Sequence, residues 1–199
     1  MRRALLAATA AVALLLSGCN ADDVKPPGQS KVDVDTPQLQ KLKGATDIED
    51  CAPGTATDGG LPDLTLPCLG GGPDVDLTTL QGPMIVNLWA SWCGPCRKEM
   101  PAVQAFYEKY GEQVPVLGID YQDQQPAAAL ALAKKSGVTY PLVADPGGDI
   151  NGSDPVPHFL GIPIFLFVSA DGDVEVVPGG VDSVDDLVDL VDDHLGVAL

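Results

Sequence analysis

Trp92-Cys93-Gly94-Pro95-Cys96 is the segment that most restricts what this chain can fold into. It follows the apolar run Met84-Ile85-Val86-Asn87-Leu88-Trp89, the pattern of a central strand buried on both faces. It precedes Met100, Val103, Tyr107 and Tyr110, which recur at helical spacing up to a stop at Gly111. Two cysteines therefore stand at a strand-to-helix junction. A cysteine at a helix N-terminus faces unpaired backbone N–H groups and the positive end of the dipole, both of which favour thiolate over thiol. Such motifs bring a thiol pKa from about 8.5 to between roughly 3.5 and 7.5. Cys93 is thus the expected nucleophile and Cys96, one turn inside the helix, the resolving thiol. Attack on a substrate disulfide would leave a mixed disulfide at Cys93, which Cys96 then displaces.

Other uses of the pair fit poorly. Haem attachment needs histidine after the second cysteine, where Arg97 stands. A zinc site would need Cys51 and Cys68 to converge with it, yet they form no second CxxC. No metal and no cofactor are expected. An inert structural disulfide is the bland alternative.

The N-terminus reads as an address. Met1-Arg2-Arg3 is a positive n-region and Ala4 to Leu16 an h-region, and Leu16-Ser17-Gly18-Cys19 closes it with small residues before a cysteine. The apolar run is shorter than the roughly 18 to 20 residues of a membrane-spanning helix. Residues 1–18 are expected to be a signal peptide. Residues 19–49, with no aromatic residue and with Pro26-Pro27-Gly28, have the composition of a flexible tether, and residues 50–199 form one domain. Export makes disulfides the natural state of Cys51, Cys68, Cys93 and Cys96. Of the three possible pairings, the simplest is Cys51–Cys68 with Cys93–Cys96. The first bond would close a loop of about 18 residues as a structural staple, contributing roughly 3 kcal/mol, with a second redox relay as the alternative reading. A net charge of −17, from 28 acids against 11 bases, disfavours nucleic-acid partners.

Beyond the tether, Leu64, Leu66, Val75 and Leu77 alternate in two short runs split by Gly70-Gly71-Gly72-Pro73, which predicts an N-terminal β-hairpin extension. Val114 to Asp120 reads as a second core strand. Pro126 opens an alanine-rich helix ending near Ser136-Gly137, and Leu142 to Ala144 is a short apolar piece. Ile164 to Val168 and Val174 to Val177 flank a turn at Asp171-Gly172. A last helix follows Ser183, with Asp186 three residues on and an apolar stripe of Val184, Leu187, Val188, Val191 and Leu195. The order β-α-β-α-β-β-α is that of an α/β domain with a mixed sheet.

Three stretches resemble the thioredoxin superfamily, and within it the membrane-tethered extracytoplasmic TlpA, ResA and cytochrome c maturation group: Asn87 to Pro101, Gly118 to Asp123, and Gly161-Ile162-Pro163. The likeness covers about Leu61 to Leu195. It implies a thioredoxin-like fold, a central mixed β-sheet flanked by helices. It implies that Pro163 is a cis-proline beside the disulfide and that the backbone of Ile162 pairs with an extended substrate peptide, with Trp92, Gly94 and Pro95 as the wall of the site. Pro101 resembles the family's mid-helix proline. Residues 16–19 resemble a lipobox, which implies acylation of Cys19 and a stable lipid anchor on the extracytoplasmic face of the membrane.

One departure is informative. Thioredoxins keep a buried aspartate, a proton acceptor for the resolving thiol, where this chain has Asn87, which cannot take a proton. Glu99 is the replacement that the cytochrome c maturation branch implies, one helical turn from Cys96. The competing reading of Glu99 is a solvated surface acid. Tyr121 and Asp123 resemble that branch's loop beside the site. His158 reads as a surface residue rather than a proton relay, and His194 as a partner of a helix C-terminus.

The expected function is an extracytoplasmic thiol–disulfide oxidoreductase, in first place a protein disulfide reductase acting on disulfide-bearing proteins. The resemblance implies electrons from a membrane thiol donor and a role in cytochrome c maturation. The alternatives are a disulfide-forming oxidase on the same fold and a redox-inactive peptide-binding module. A peroxidase reading ranks last, because the chain lacks the isolated peroxidatic cysteine with an upstream threonine.

Overall fold

The computed structural model describes residues 32–199. The expected signal segment, Cys19 and the first part of the expected tether lie outside them. The elements in order are α1 (Pro37–Lys43), β1 (Thr65–Leu66), β2 (Val75–Asp76), β3 (Met84–Trp89), α2 (Gly94–Tyr110), β4 (Val116–Tyr121), α3 (Pro126–Lys135), β5 (Leu142–Asp145), β6 (Ile164–Val168), β7 (Val174–Pro178) and α4 (Val184–Leu195).

β3 and β4 are buried at all six of their positions, which is why both read as continuous apolar runs. Five strands form one sheet in the order β5-β4-β3-β6-β7. β3, β4 and β5 run parallel, while β6 pairs antiparallel with β3, and β7 with β6. The sheet is mixed and carries helices, so the thioredoxin-like fold holds. β1 and β2 pair antiparallel in a separate two-stranded sheet.

Strand alternation divides the core in two. Ile85 and Trp89 pack with Met100, Phe106, Leu130, Phe165 and Leu187, so α2, α3 and α4 share one apolar cluster. Val86, Leu88 and Leu166 on the other face pack with Leu66, Leu77, Ile150 and Val156. Asn87 falls on the Ile85 and Trp89 face, towards α2.

Register brings several loops to one end of the sheet. Trp89 pairs with Asp120, so β3 and β4 finish together, and Ile164 pairs with Leu88, so Ile162-Pro163 arrives at that same end. Pro178 pairs with Ile164, and Gly179 donates its N–H to the Pro163 carbonyl at 3.1 Å, which brings Gly180 and Val181 there as well. The last helix starts as the sequence indicates, with Ser183 and Asp186 closing a capping box.

The tether boundary needs correction. Residues expected to hang free are packed: Val34, Leu39 and Ile48 are buried, and Pro37–Lys43 forms α1 with Thr36 as N-cap. Gly70 donates to the Val34 carbonyl and Glu49 to that of Thr139. Composition missed this because a short helix anchored by three scattered apolar residues carries too little periodicity to stand out. Leu39→Ala should cost about 3 kcal/mol in denaturant unfolding, whereas the same change in a free tether would cost nothing.

Candidate active site

Cys93 is the N-cap of α2, and its sulfur accepts the backbone N–H of Cys96 at 3.2 Å. The two cysteines are disulfide-bonded, with Cα atoms 5.4 Å apart. Cys96 is fully buried and Cys93 is 4% exposed, beside the exposed Gly94 and Pro95. The Cys93 sulfur lies 3.7 Å from the carbonyl oxygen of Ile162, and the Ile162-Pro163 peptide is cis. The turn that leads into β6 thus passes directly beside the outer sulfur.

The loop before Cys93 is held from several sides. Asp123 accepts the Ser91 N–H at 2.7 Å and the Gln125 N–H at 2.8 Å. Arg97 donates from Nε to the Ser91 carbonyl at 2.6 Å, and the Trp92 indole donates to the Gln122 carbonyl at 3.3 Å. Trp92 remains half exposed, at 51%. It borders a groove of about 190 Å³ with Tyr121, Phe159, Leu160 and Ile162.

On the helix-facing side of β3, Asn87 donates from Nδ2 to Oε1 of Glu99 at 3.0 Å, and Glu99 is only 1% exposed. A solvated surface acid is therefore excluded. Burial pushes the Glu99 carboxyl from its ordinary value of 4.5 up to about 7, opposed by the hydrogen bonds from Asn87 and the Val181 backbone. Its Oε2 points to the Gly180 and Pro163 side, where a Cβ on Gly180 would stand 2.8 Å from that oxygen and 3.4 Å from the proline ring. The carboxyl thus sits between the helix, the cis-proline and the start of the α4 approach, and it can exchange a proton near neutral pH.

The other residues singled out in the sequence have their own partners. His158 is exposed and its Nδ1 lies 3.2 Å from Asn151 Oδ1. His194 pairs with Glu175 at 2.6 Å and stacks on Phe167. Tyr121 accepts from Asn151 at 3.0 Å and packs on Phe159. Pro101 lies inside α2. Cys51 and Cys68 are bonded to each other, with Cα atoms 5.9 Å apart.

Sequence reasoning missed Asp120. It is 1% exposed on β4, and burial, the neighbouring charge of Asp123 and a hydrogen bond to Asp123 hold its carboxyl well above the usual range. The available signal was an acid inside the apolar run of β4. Gly180 and Val181 carried no signal, since only the β6–β7 turn returns them to the site.

The sheet order and the disulfide at the mouth of α2 define a thioredoxin-like protein, and comparison with known proteins agrees. Residues 59–177 match the AhpC/TSA family, and the chain belongs to it. Thiol-disulfide oxidoreductase ResA of Bacillus thuringiensis is 31% identical over 105 residues, covering 52% of this chain and 58% of that protein. Sporulation thiol-disulfide oxidoreductase A of Bacillus subtilis is 28% identical over 109 residues, covering 52% and 63%. The chain spans little more than half the length of such curated relatives. Among solved structures, a putative protein disulfide isomerase from Bacteroides thetaiotaomicron aligns with TM-score 0.57 at 31% identity, over 71% of this chain and 92% of that one. A dsbF structure described as "MTB" aligns with TM-score 0.56 at 27% identity, over 66% and 94%.

Glu99 generates a pH dependence of stability. Its folded pKa lies above its unfolded value, so the folded state binds the proton more tightly. This contribution is fully present below about pH 4.5 and is lost as pH rises through about 7. Denaturant unfolding of the oxidised protein should lose about 3 kcal/mol between pH 4 and 8 relative to Glu99→Gln, whose profile lacks that fall.

Proposed function

We propose that the chain is an extracytoplasmic thiol–disulfide oxidoreductase that works as a protein disulfide reductase, anchored to the membrane through acylated Cys19. The observation that carries this reading is the position of the Cys93 sulfur. It caps α2, accepts the Cys96 N–H and lies beside the Ile162 carbonyl. The names of the related oxidoreductases support the same chemistry.

In the reduced protein the Cys93 thiolate gains from the N–H groups and dipole of α2. An extended substrate peptide pairs with the backbone at Ile162 and brings its disulfide against Cys93. The thiolate attacks one substrate sulfur, the substrate disulfide breaks, and the other substrate sulfur leaves as a thiolate. Cys96 then gives its proton to Glu99 and attacks the Cys93 sulfur, which releases the reduced substrate. Asn87 acts as a positioning residue, since it donates to Glu99 and has no proton to accept. Two electrons pass to the substrate, and a membrane thiol donor restores the Cys93 and Cys96 dithiol. Likeness to the cytochrome c maturation branch supports a peptide with a closely spaced cysteine pair, such as apocytochrome c, as the substrate.

The test is the reduction potential of Cys93–Cys96 against defined thiol buffers. A value of about −270 to −230 mV, the range of thioredoxins and glutaredoxins, is expected; a value near about −120 mV would make the protein an oxidant and overturn the reductase assignment. Cys93→Ser should abolish turnover, and Cys96→Ser should accumulate the mixed disulfide at Cys93, detectable by mass spectrometry. Glu99→Gln should slow release from that intermediate on the order of 10²-fold with the first attack unchanged; equal slowing of both steps would remove Glu99 from this role.

A further inference from the structure

The Cys51–Cys68 bond has a buried cation beside one of its sulfurs. Lys43, the last residue of α1, turns inward and is only 7% exposed. Its Nζ donates to the Cys68 sulfur at 3.3 Å and to the Gly71 carbonyl at 2.8 Å, and it pairs with Asp50 at 3.2 Å. These partners match the three N–H bonds of an ammonium group.

The enclosure depends on glycine. Gly70, Gly71 and Gly72 all have positive φ, at 79°, 96° and 125°, a region that side chains of the L series rarely adopt. A Cβ at Gly70 would stand 2.9 Å from Cβ of Lys43, and one at Gly72 would stand 3.3 Å from the Cys68 sulfur. Cys51 lines a cavity of about 210 Å³ together with Asp50, Val75, Met84, Pro115 and Pro141.

A bond that only closes a loop has no need of this cation. A disulfide sulfur is a weak acceptor, and burying an ammonium group is costly. A sulfur that has to carry negative charge does gain from it, because a cation beside cysteine favours the thiolate.

We propose that Cys51–Cys68 is a second thiol–disulfide exchange site, in which Cys51 is the sulfur attacked and Cys68 is the leaving sulfur, held as a thiolate by Lys43. The co-reactant is a dithiol. Its thiolate reaches Cys51 through the cavity and forms a bond to that sulfur. The Cys51–Cys68 bond breaks and its electron pair leaves on Cys68 beside the Lys43 ammonium. The donor's second thiol loses its proton to solvent and attacks the donor sulfur of the mixed disulfide. Cys51 departs as a thiolate and takes up a proton. The donor ends as a disulfide, and two electrons reside in a Cys51 thiol and a Cys68 thiolate. This assignment stands apart from the Cys93 and Cys96 chemistry and does not rest on it.

The test uses the full chain carrying Cys93→Ser and Cys96→Ser, equilibrated at pH 7 with defined ratios of reduced to oxidised dithiothreitol. Free thiols are alkylated and mapped by mass spectrometry, and near-ultraviolet circular dichroism reports folding in each sample. The pair is expected to reduce while the chain stays folded. Lys43→Gln, which keeps a donor for the Gly71 carbonyl and removes the charge, should need about tenfold more reduced dithiothreitol for half reduction, as a hydrogen bond to a charged group predicts. Lys43→Arg should stay near the parent value. With glutathione under acid quench, the trapped adduct should sit on Cys51. Reduction only on unfolding, a Lys43→Gln midpoint equal to the parent, or glutathione on Cys68 would overturn the proposal.

Discussion

The burial of β3 at the centre of the sheet is the constraint on which the rest depends. With neighbours on both edges and packed layers on both faces, every backbone group of that strand is committed, and chemistry can attach only where it ends. The disulfide stands just past that end, at the first turn of α2. The Ile162-Pro163 turn, the Asp123 loop and the Gly180 approach all arrive there because their strands pair in register with β3, with β4, or with β6.

The same burial explains the asymmetry of the site. The outer sulfur, 4% exposed, meets an N–H group of α2 and the Ile162 carbonyl, while Cys96 is fully buried one helical turn from Glu99. One polar strand position on the helix-facing side suffices to orient the carboxyl. Removing that carboxyl from water is what moves its proton affinity towards neutrality. A neutral amide at Asn87 is compatible with this arrangement, whereas a second carboxylate beside Glu99 would raise its affinity further. Asp120 and Asp123 repeat the theme at the end of β4, where one buried acid is hydrogen-bonded to another that anchors the Ser91 amide.

The N-terminal segment extends the fold beyond this centre. Residues 67–69 bond to the outer edge of β5, with Leu69 donating to Leu142 and Ala144 to Pro67, so the free edge of the sheet is partly covered. α1 and the glycine turn then enclose Lys43 against the second disulfide. Two disulfides in one small domain thus occupy very different surroundings, one at a helix N-terminus and the other beside a buried cation.

Local spacing determined much of this protein. The two buried strands, the position of CxxC between strand and helix, the cap at Ser183 and the proline at the head of α3 are short-range patterns, each expressed within one or two turns of chain. The pairing of the four cysteines is the simplest of the three that the sequence allowed, and Glu99 stood out through the family resemblance, one helical turn from Cys96. Only the tertiary structure decided that Glu99 is buried, that Ile162 lies beside a sulfur 69 residues away, and that Lys43 reaches Cys68 across 25 residues. It also decided that residues 32–49 belong to the domain. The physical reason is that secondary structure is written in periodicity and capping, whereas exclusion of water and the proximity of charges depend on segments that are remote in sequence and meet only through strand register and packing.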